Sequence, residues 1–301
     1  MAELNQKKSP ADKASPAVPE ELKEKLRSLA DRYEVPSFTE EDPSQFLRWY
    51  KPEEGRGTVA DVEAASFIAA MLAFGNRKQF IPKIRQILET SDRSLGSVAE
   101  WLKQGKYTSD FPSGPVKFYR FYSYDNMQTF FGEMADILKT AGSLGEFIHK
   151  KYTECPVIEC GEAAYRNHRK TEECGFDTAF DKAYSTSGSL AEITSSSFPN
   201  SSIVPKGRSS ANKRVHMFLR WMVRRGSPVD LGLWDWANPD SLLIPLDVHV
   251  MQEAAELGLI PEGATASRKT AELLTDKLRE VFPGDPCRGD FALFGLGVDV
   301  L

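Results

Sequence analysis

The chain has 301 residues, of which 41% are hydrophobic, and a formal net charge of −5. That length and apolar fraction suffice for one large core or two lobes and exclude a disordered protein. The longest apolar runs fall far short of the roughly 20 residues a bilayer demands, and Met1-Ala-Glu-Leu-Asn-Gln-Lys-Lys has no apolar signal region, so a cytoplasmic protein without membrane contact is expected.

In chain order, residues 1–18 are rich in Lys, Ser, Pro and Ala without apolar periodicity and read as a disordered tail, with a folded domain over 19–301. Leu22, Leu26 and Leu29 at helical spacing predict a first helix over 20–33, and Asp42 or Ser44 opens a short helix to Tyr50. Val59–Phe74 is apolar on most sides and predicts a buried helix that stops at Gly75-Asn76. A basic amphipathic helix follows, with Arg77, Lys78, Lys83 and Arg85 and no acid between Asn76 and Leu88. Further helices are predicted over 95–104, 127–140, 144–152, 213–225, 248–257, 264–282 and 285–294. Phe118-Tyr-Arg-Phe-Tyr-Ser-Tyr124 reads as core rather than as a stacking platform, and Asp125 and Asn126 as caps of the next helix. No convincing period-two run appears, so the fold class expected is all-α.

Residues 153–190 read as an insertion. Cys155, Cys160, His168 and Cys174 are spaced too loosely for a zinc ribbon or finger, and no metal is expected there. With Cys287 these make four cysteines, too sparse for a disulfide framework and consistent with a reducing compartment.

The strongest chemical signal lies between 206 and 250. Lys206, Arg208, Lys213, Arg214, Arg220, Arg224 and Arg225 follow one another with no intervening acid, so one face of an acidic protein can grip phosphates. Lys213 falls in the first turn of a helix, where the partial positive charge of the N-terminus disfavours a second one, and Asp247 stands at the mouth of the next helix, where the same dipole keeps a carboxylate ionised. An amine and a carboxylate so placed can act as a nucleophile and a charge stabiliser. His216 and His249 are readable as phosphate contacts or as packing residues, and packing is expected for Met217, Phe218 and Trp221.

Pro245-Leu-Asp-Val-His-Val-Met-Gln-Glu-Ala-Ala-Glu-Leu-Gly-Leu259 resembles the catalytic-Asp segment of the helix-hairpin-helix DNA glycosylases and abasic lyases. Thr275–Gly297 is similar to their closing helices, and Phe67–Asn76 to the buried helix ending in a residue inserted into the DNA stack. The chain as a whole looks like an uncharacterised bacterial family distantly related to these enzymes, and the 34-residue interval from Lys213 to Asp247 most resembles the archaeal 8-oxoguanine glycosylase branch. The usual Leu-Pro-Gly-Val-Gly hairpin is replaced by Phe198–Arg208, and the four-cysteine cluster of iron-sulfur relatives is not found after Phe294, so no cofactor is expected.

The resemblance implies a two-lobed helical fold with a central cleft, in a monomeric, nucleoid-associated enzyme whose partner is double-stranded DNA containing a damaged base. It implies excision of a damaged purine, with 8-oxoguanine the first candidate, through a Schiff base on Lys213 assisted by Asp247. The choice of Lys213 over Lys206 as nucleophile rests on helix position. Asn76 would fill the gap left by the flipped nucleotide. Arg77, Lys78, Lys206, Arg208, Ser209, Asn212, Arg214 and His249 would contact DNA. The alternative is a non-catalytic nucleic-acid-binding or protein-interaction module on the same fold.

Overall fold

A computed structural model describes residues 16–154 and 189–299. The segment expected as an insertion, with Cys155, Cys160, His168 and Cys174, lies almost wholly outside the described residues. The described residues are mostly helical, with 62% helix and 4% strand. The helices are α1 (Glu20–Tyr33), α2 (Val59–Leu72), α3 (Arg77–Leu95), α4 (Val98–Lys103), α5 (Tyr107–Asp110), α6 (Tyr124–Ala141), α7 (Leu144–Thr153), α8 (Leu190–Ser196), α9 (Lys213–Val223), α10 (Val248–Glu256), α11 (Arg268–Val281) and α12 (Gly289–Asp299). No described helix is long and apolar enough to cross a membrane.

The buried side chains form two clusters. The first is centred on α2, which buries twelve consecutive residues from Asp61 to Leu72. A capping box starts this helix: Thr58 accepts from Asp61 N while Asp61 accepts from Thr58 N. The other oxygen of Asp61 accepts from Ser97 Oγ at 2.6 Å and Ala99 N at 2.8 Å, so one buried carboxylate satisfies donors at the starts of both α2 and α4. Around α2 pack α3, α4, α7 and α9, with α6 lying on α4 and α7. The second cluster joins α1, α10, α11 and α12, and includes Val18, whose N–H donates to Glu280 Oε2 at 2.8 Å. The clusters meet at the start of α9, where Ala211 belongs to the second and Val215 to the first.

Three local expectations need correction. The aromatic stretch forms a short antiparallel hairpin, β1 (Lys117–Tyr119) and β2 (Tyr122–Ser123), with Arg120 in left-handed backbone at the tip (φ 46°). Its alternation is too short to show as a period. Ser123, not Asp125, caps α6, and Asn126 is its reciprocal partner. The short helix after Asp42 is a 3-10 helix over Pro43–Arg48, capped by Asp42 as expected.

Candidate active site and basic surface

Asn212 adopts left-handed backbone (φ 43°), a conformation Asn tolerates better than most residues, and its amide donates to Gly207 O at 2.7 Å. This turn starts α9 at Lys213. Ile244 N donates to Thr275 Oγ1 at 3.1 Å, anchoring the approach to α10 on α11. Lys213 Nζ then donates to Asp247 Oδ2 at 2.6 Å. The other carboxylate oxygen, Oδ1, caps α10 by accepting from Val250 N at 2.9 Å. Burial pushes the Asp247 carboxyl up. The neighbouring Lys213 charge and hydrogen bond, the Val250 amide and His249 outweigh that push and hold it below its usual value. The side chains stay 38% and 28% exposed, so the pair faces solvent in part.

The loop before α9 is tied to α11: Ser210 bridges Ser267, and Arg268 N donates to Ser209 O at 2.9 Å. Arg208 is exposed on this loop, and His249 on the first turn of α10. Asn76 caps α3 by accepting from Lys78 N at 2.9 Å, and Asn76, Arg77 and Lys78 are all exposed. Arg77 lies 3.9 Å from Asp42 and over the Phe294 ring.

Two residues expected on the DNA face, the half-buried Arg214 and the exposed Lys206, already have acceptors within the protein for their charged ends. Arg214 donates to Met71 O and, at 3.2 Å, to Tyr122 OH, and lies 4.9 Å from the Phe74 ring centroid. It therefore clamps the end of α2, the hairpin and the start of α9 together, and leaves less of its guanidinium for a phosphate. Lys206 Nζ donates to Ser201 O and, at 3.5 Å, to Val204 O, and burial lowers its pKa against the pull of Glu133. Its amine is held by the preceding loop, whereas that of Lys213 meets Asp247.

The basic run also divides in a way its spacing conceals. Arg220 and Arg224 are interior, with side chains 4% and 2% exposed. Arg220 pairs with Asp290 and, at 3.3 Å, with Asp230, while Arg224 meets Asp230 at 2.5 Å, Asp285 at 2.7 Å and Glu34 at 2.9 Å. These arginines knit the molecule together and are unavailable to a ligand. Asp290 was missed by the sequence reading. Burial pushes its carboxyl up to about 6 against the pull of Arg220 and Lys213, with Asp247 adding to the rise, so this buried acid feels the charges of the exposed pair. The signal for it was weak: one acid at the start of the last helix.

His216, on α9, is buried with Nδ1 unpartnered, and burial together with the charge of Arg268 drives its pKa down to about 4. It is a packing residue, as are Met217, Phe218 and Trp221. In the aromatic stretch Phe118, Tyr119 and Tyr122 are core, but Phe121 is 59% exposed.

A family model described as "Protein of unknown function (DUF2400)" matches residues 42–299. No curated protein and no solved structure matches the chain.

Proposed function

We propose that this chain, which belongs to the DUF2400 family of proteins of unknown function, is a DNA base-excision glycosylase with abasic lyase activity. The substrate class is a damaged purine in duplex DNA, with 8-oxoguanine the first candidate. The observation that carries this reading is the 2.6 Å contact between Lys213 Nζ and the Asp247 carboxylate, partly open to solvent, at the starts of two helices. The two apolar clusters read as the two lobes of a helix-hairpin-helix glycosylase, and the seam between them, where the pair sits, as its cleft. Asn76, Arg77, Lys78 and Arg208, exposed on nearby loops and helix starts, are the phosphate and gap contacts of this scheme. Nucleoid association follows from the same reading.

In the chemistry proposed, entry of the nucleotide opens the ion pair and Nζ gives up a proton. The amine lone pair forms a bond to the sugar C1′ as the C1′–N9 bond breaks, and the departing base keeps that electron pair and takes up the proton. Asp247, held ionised, stabilises the positive charge that develops on the sugar. Ring opening gives the Schiff base, and loss of a C2′ proton expels the 3′ phosphate.

Borohydride reduction in the presence of lesion duplexes tests this directly. Wild-type protein is expected to yield a covalent adduct, Lys213→Gln none, and Lys206→Gln an adduct in near-normal yield. An adduct surviving in Lys213→Gln would move the nucleophile elsewhere. The short ion pair also favours a second reading, in which the amine is permanently occupied and the fold serves as a non-catalytic nucleic-acid-binding module. Salt-dependent duplex binding without any adduct would select it.

A further inference from the structure

The hairpin tip is the most conspicuous surface feature that the proposed chemistry leaves unused. Phe121 is 59% exposed, although the rings on either side of it in sequence, Tyr119 and Tyr122, are buried. Arg120 before it has φ 46°, and among the described residues only Arg120 and Asn212 are non-glycine positions with positive φ. Such strain persists where surrounding contacts over-determine it, and it clusters at functional sites. Those contacts are present: Lys117 Nζ donates to Phe121 O at 2.9 Å, and Tyr119 OH donates to Phe74 O. Gly75 lies beside the tip, where its φ of 83° favours glycine and the Arg120 guanidinium fills the space next to its Cα.

The Phe121 ring lies 5.2 Å from Phe74 at an interplanar angle of 31° and 4.7 Å from Tyr122 at 76°, so it is braced by two rings while 59% of the residue remains in solvent. Cations stand beside it: Lys117 donates to its carbonyl, and the Arg120 guanidinium lies 5.7 Å from the centroid of the supporting Phe74 ring. The hairpin residues 115–124 contain no Asp or Glu, and the next residue, Asp125, accepts from Gly114 N at the far end of the hairpin. Phe74 also stacks beneath Arg214, the residue after Lys213, which ties the tip to the start of α9. A solvent-facing aromatic ring framed by cations suits a nucleobase flanked by phosphates better than it suits an apolar protein surface.

We propose that the Arg120–Phe121 tip is a base-stacking element, which rests on the nucleic-acid reading given above: Phe121 takes an unstacked base of a disrupted duplex on its free side, and Lys117 and Arg120 hold the adjoining phosphates. The test uses the full chain and two labelled duplexes. One is intact, and the other carries a tetrahydrofuran abasic analogue opposite 2-aminopurine. The analogue cannot form a Schiff base, so binding is read independently of Lys213 chemistry.

Wild-type protein is expected to prefer the abasic duplex by about tenfold, the size of one base stacked on an aromatic ring, and to quench 2-aminopurine. Phe121→Ala should lose both the preference and the quenching while binding intact duplex and melting as wild type does, and Phe121→Trp should restore them. Retention of preference and quenching in Phe121→Ala would overturn the stacking role and leave DNA binding standing. Absence of binding to either duplex by the wild type would overturn the nucleic-acid reading, and the stacking role with it.

Discussion

Lys213–Asp247 and Arg220–Asp290 are ion pairs made from the same face of α9, two turns apart, with acids at the starts of two neighbouring helices. One pair is roughly a third exposed, while the other lies in a network that includes Asp230, Arg224, Asp285 and Glu34. The difference is in what each can do. An exposed pair is worth little to stability and can open. An interior network costs several kcal/mol to break, because each partner removed strands a charge away from water. Along one helix the protein thus has a fixed segment and an openable one, and the fixed segment holds the openable one in place.

The largest break in this comparison should come from Asp230→Asn, which leaves two interior guanidiniums short of a carboxylate. Urea unfolding is expected to show a loss of about 3–5 kcal/mol, and a loss below about 1 kcal/mol would mean that water reaches the network. His216 probes how poorly this helix tolerates an unpaired cation. Its pKa of about 4 in the fold lies below the ordinary 6.5. As pH falls through 6.5 the unfolded chain therefore binds a proton first, and stability drops until about pH 4. His216→Leu should gain about 2 kcal/mol over wild type between pH 7.5 and pH 5, and parallel pH profiles of the two proteins would refute this.

Asp247→Ala removes the cap of α10 together with the ion pair. Calorimetry is expected to record a loss of about 1 kcal/mol, with Asp247→Asn recovering most of it because an amide oxygen also caps. The smallest effect on stability belongs to Lys213→Gln, below about 1 kcal/mol, even though the same change is expected to abolish the covalent adduct. A double-mutant cycle on Lys213 and Asp247 that returned more than about 2 kcal/mol would place this pair with the interior ones and erase the contrast.

Helix periodicity and caps made much of the fold legible. The buried character of α2, its stop at Gly75-Asn76 and the capping Asp at 247 all follow from residue type and spacing. The helix-start positions of Lys213 and Asp247 were legible in the same way, whereas their 2.6 Å contact is supplied by the tertiary fold. The fate of the basic run was not legible. Arg220 and Arg224 find their acids at positions 34, 230, 285 and 290, and only the tertiary fold brings those together. The clamp made by Arg214 was hidden for the same reason, since its acceptors are a carbonyl on α2 and a tyrosine of the hairpin. Phe121 is exposed next to a left-handed Arg120, and local composition carries no trace of either feature.

Asp247 uses its two oxygens for different tasks, one on the Val250 amide and one on the Lys213 amine. The first contact prevents the carboxylate from rotating after the amine when the second is broken. A ligand that displaces Lys213 thus meets a negative charge already aimed and stationary, and only the flexible lysine arm has to move. The helix acts as the mount of a fixed electrode, whose field, in the chemistry proposed above, is present before the nucleotide enters and needs no rearrangement as charge develops opposite it.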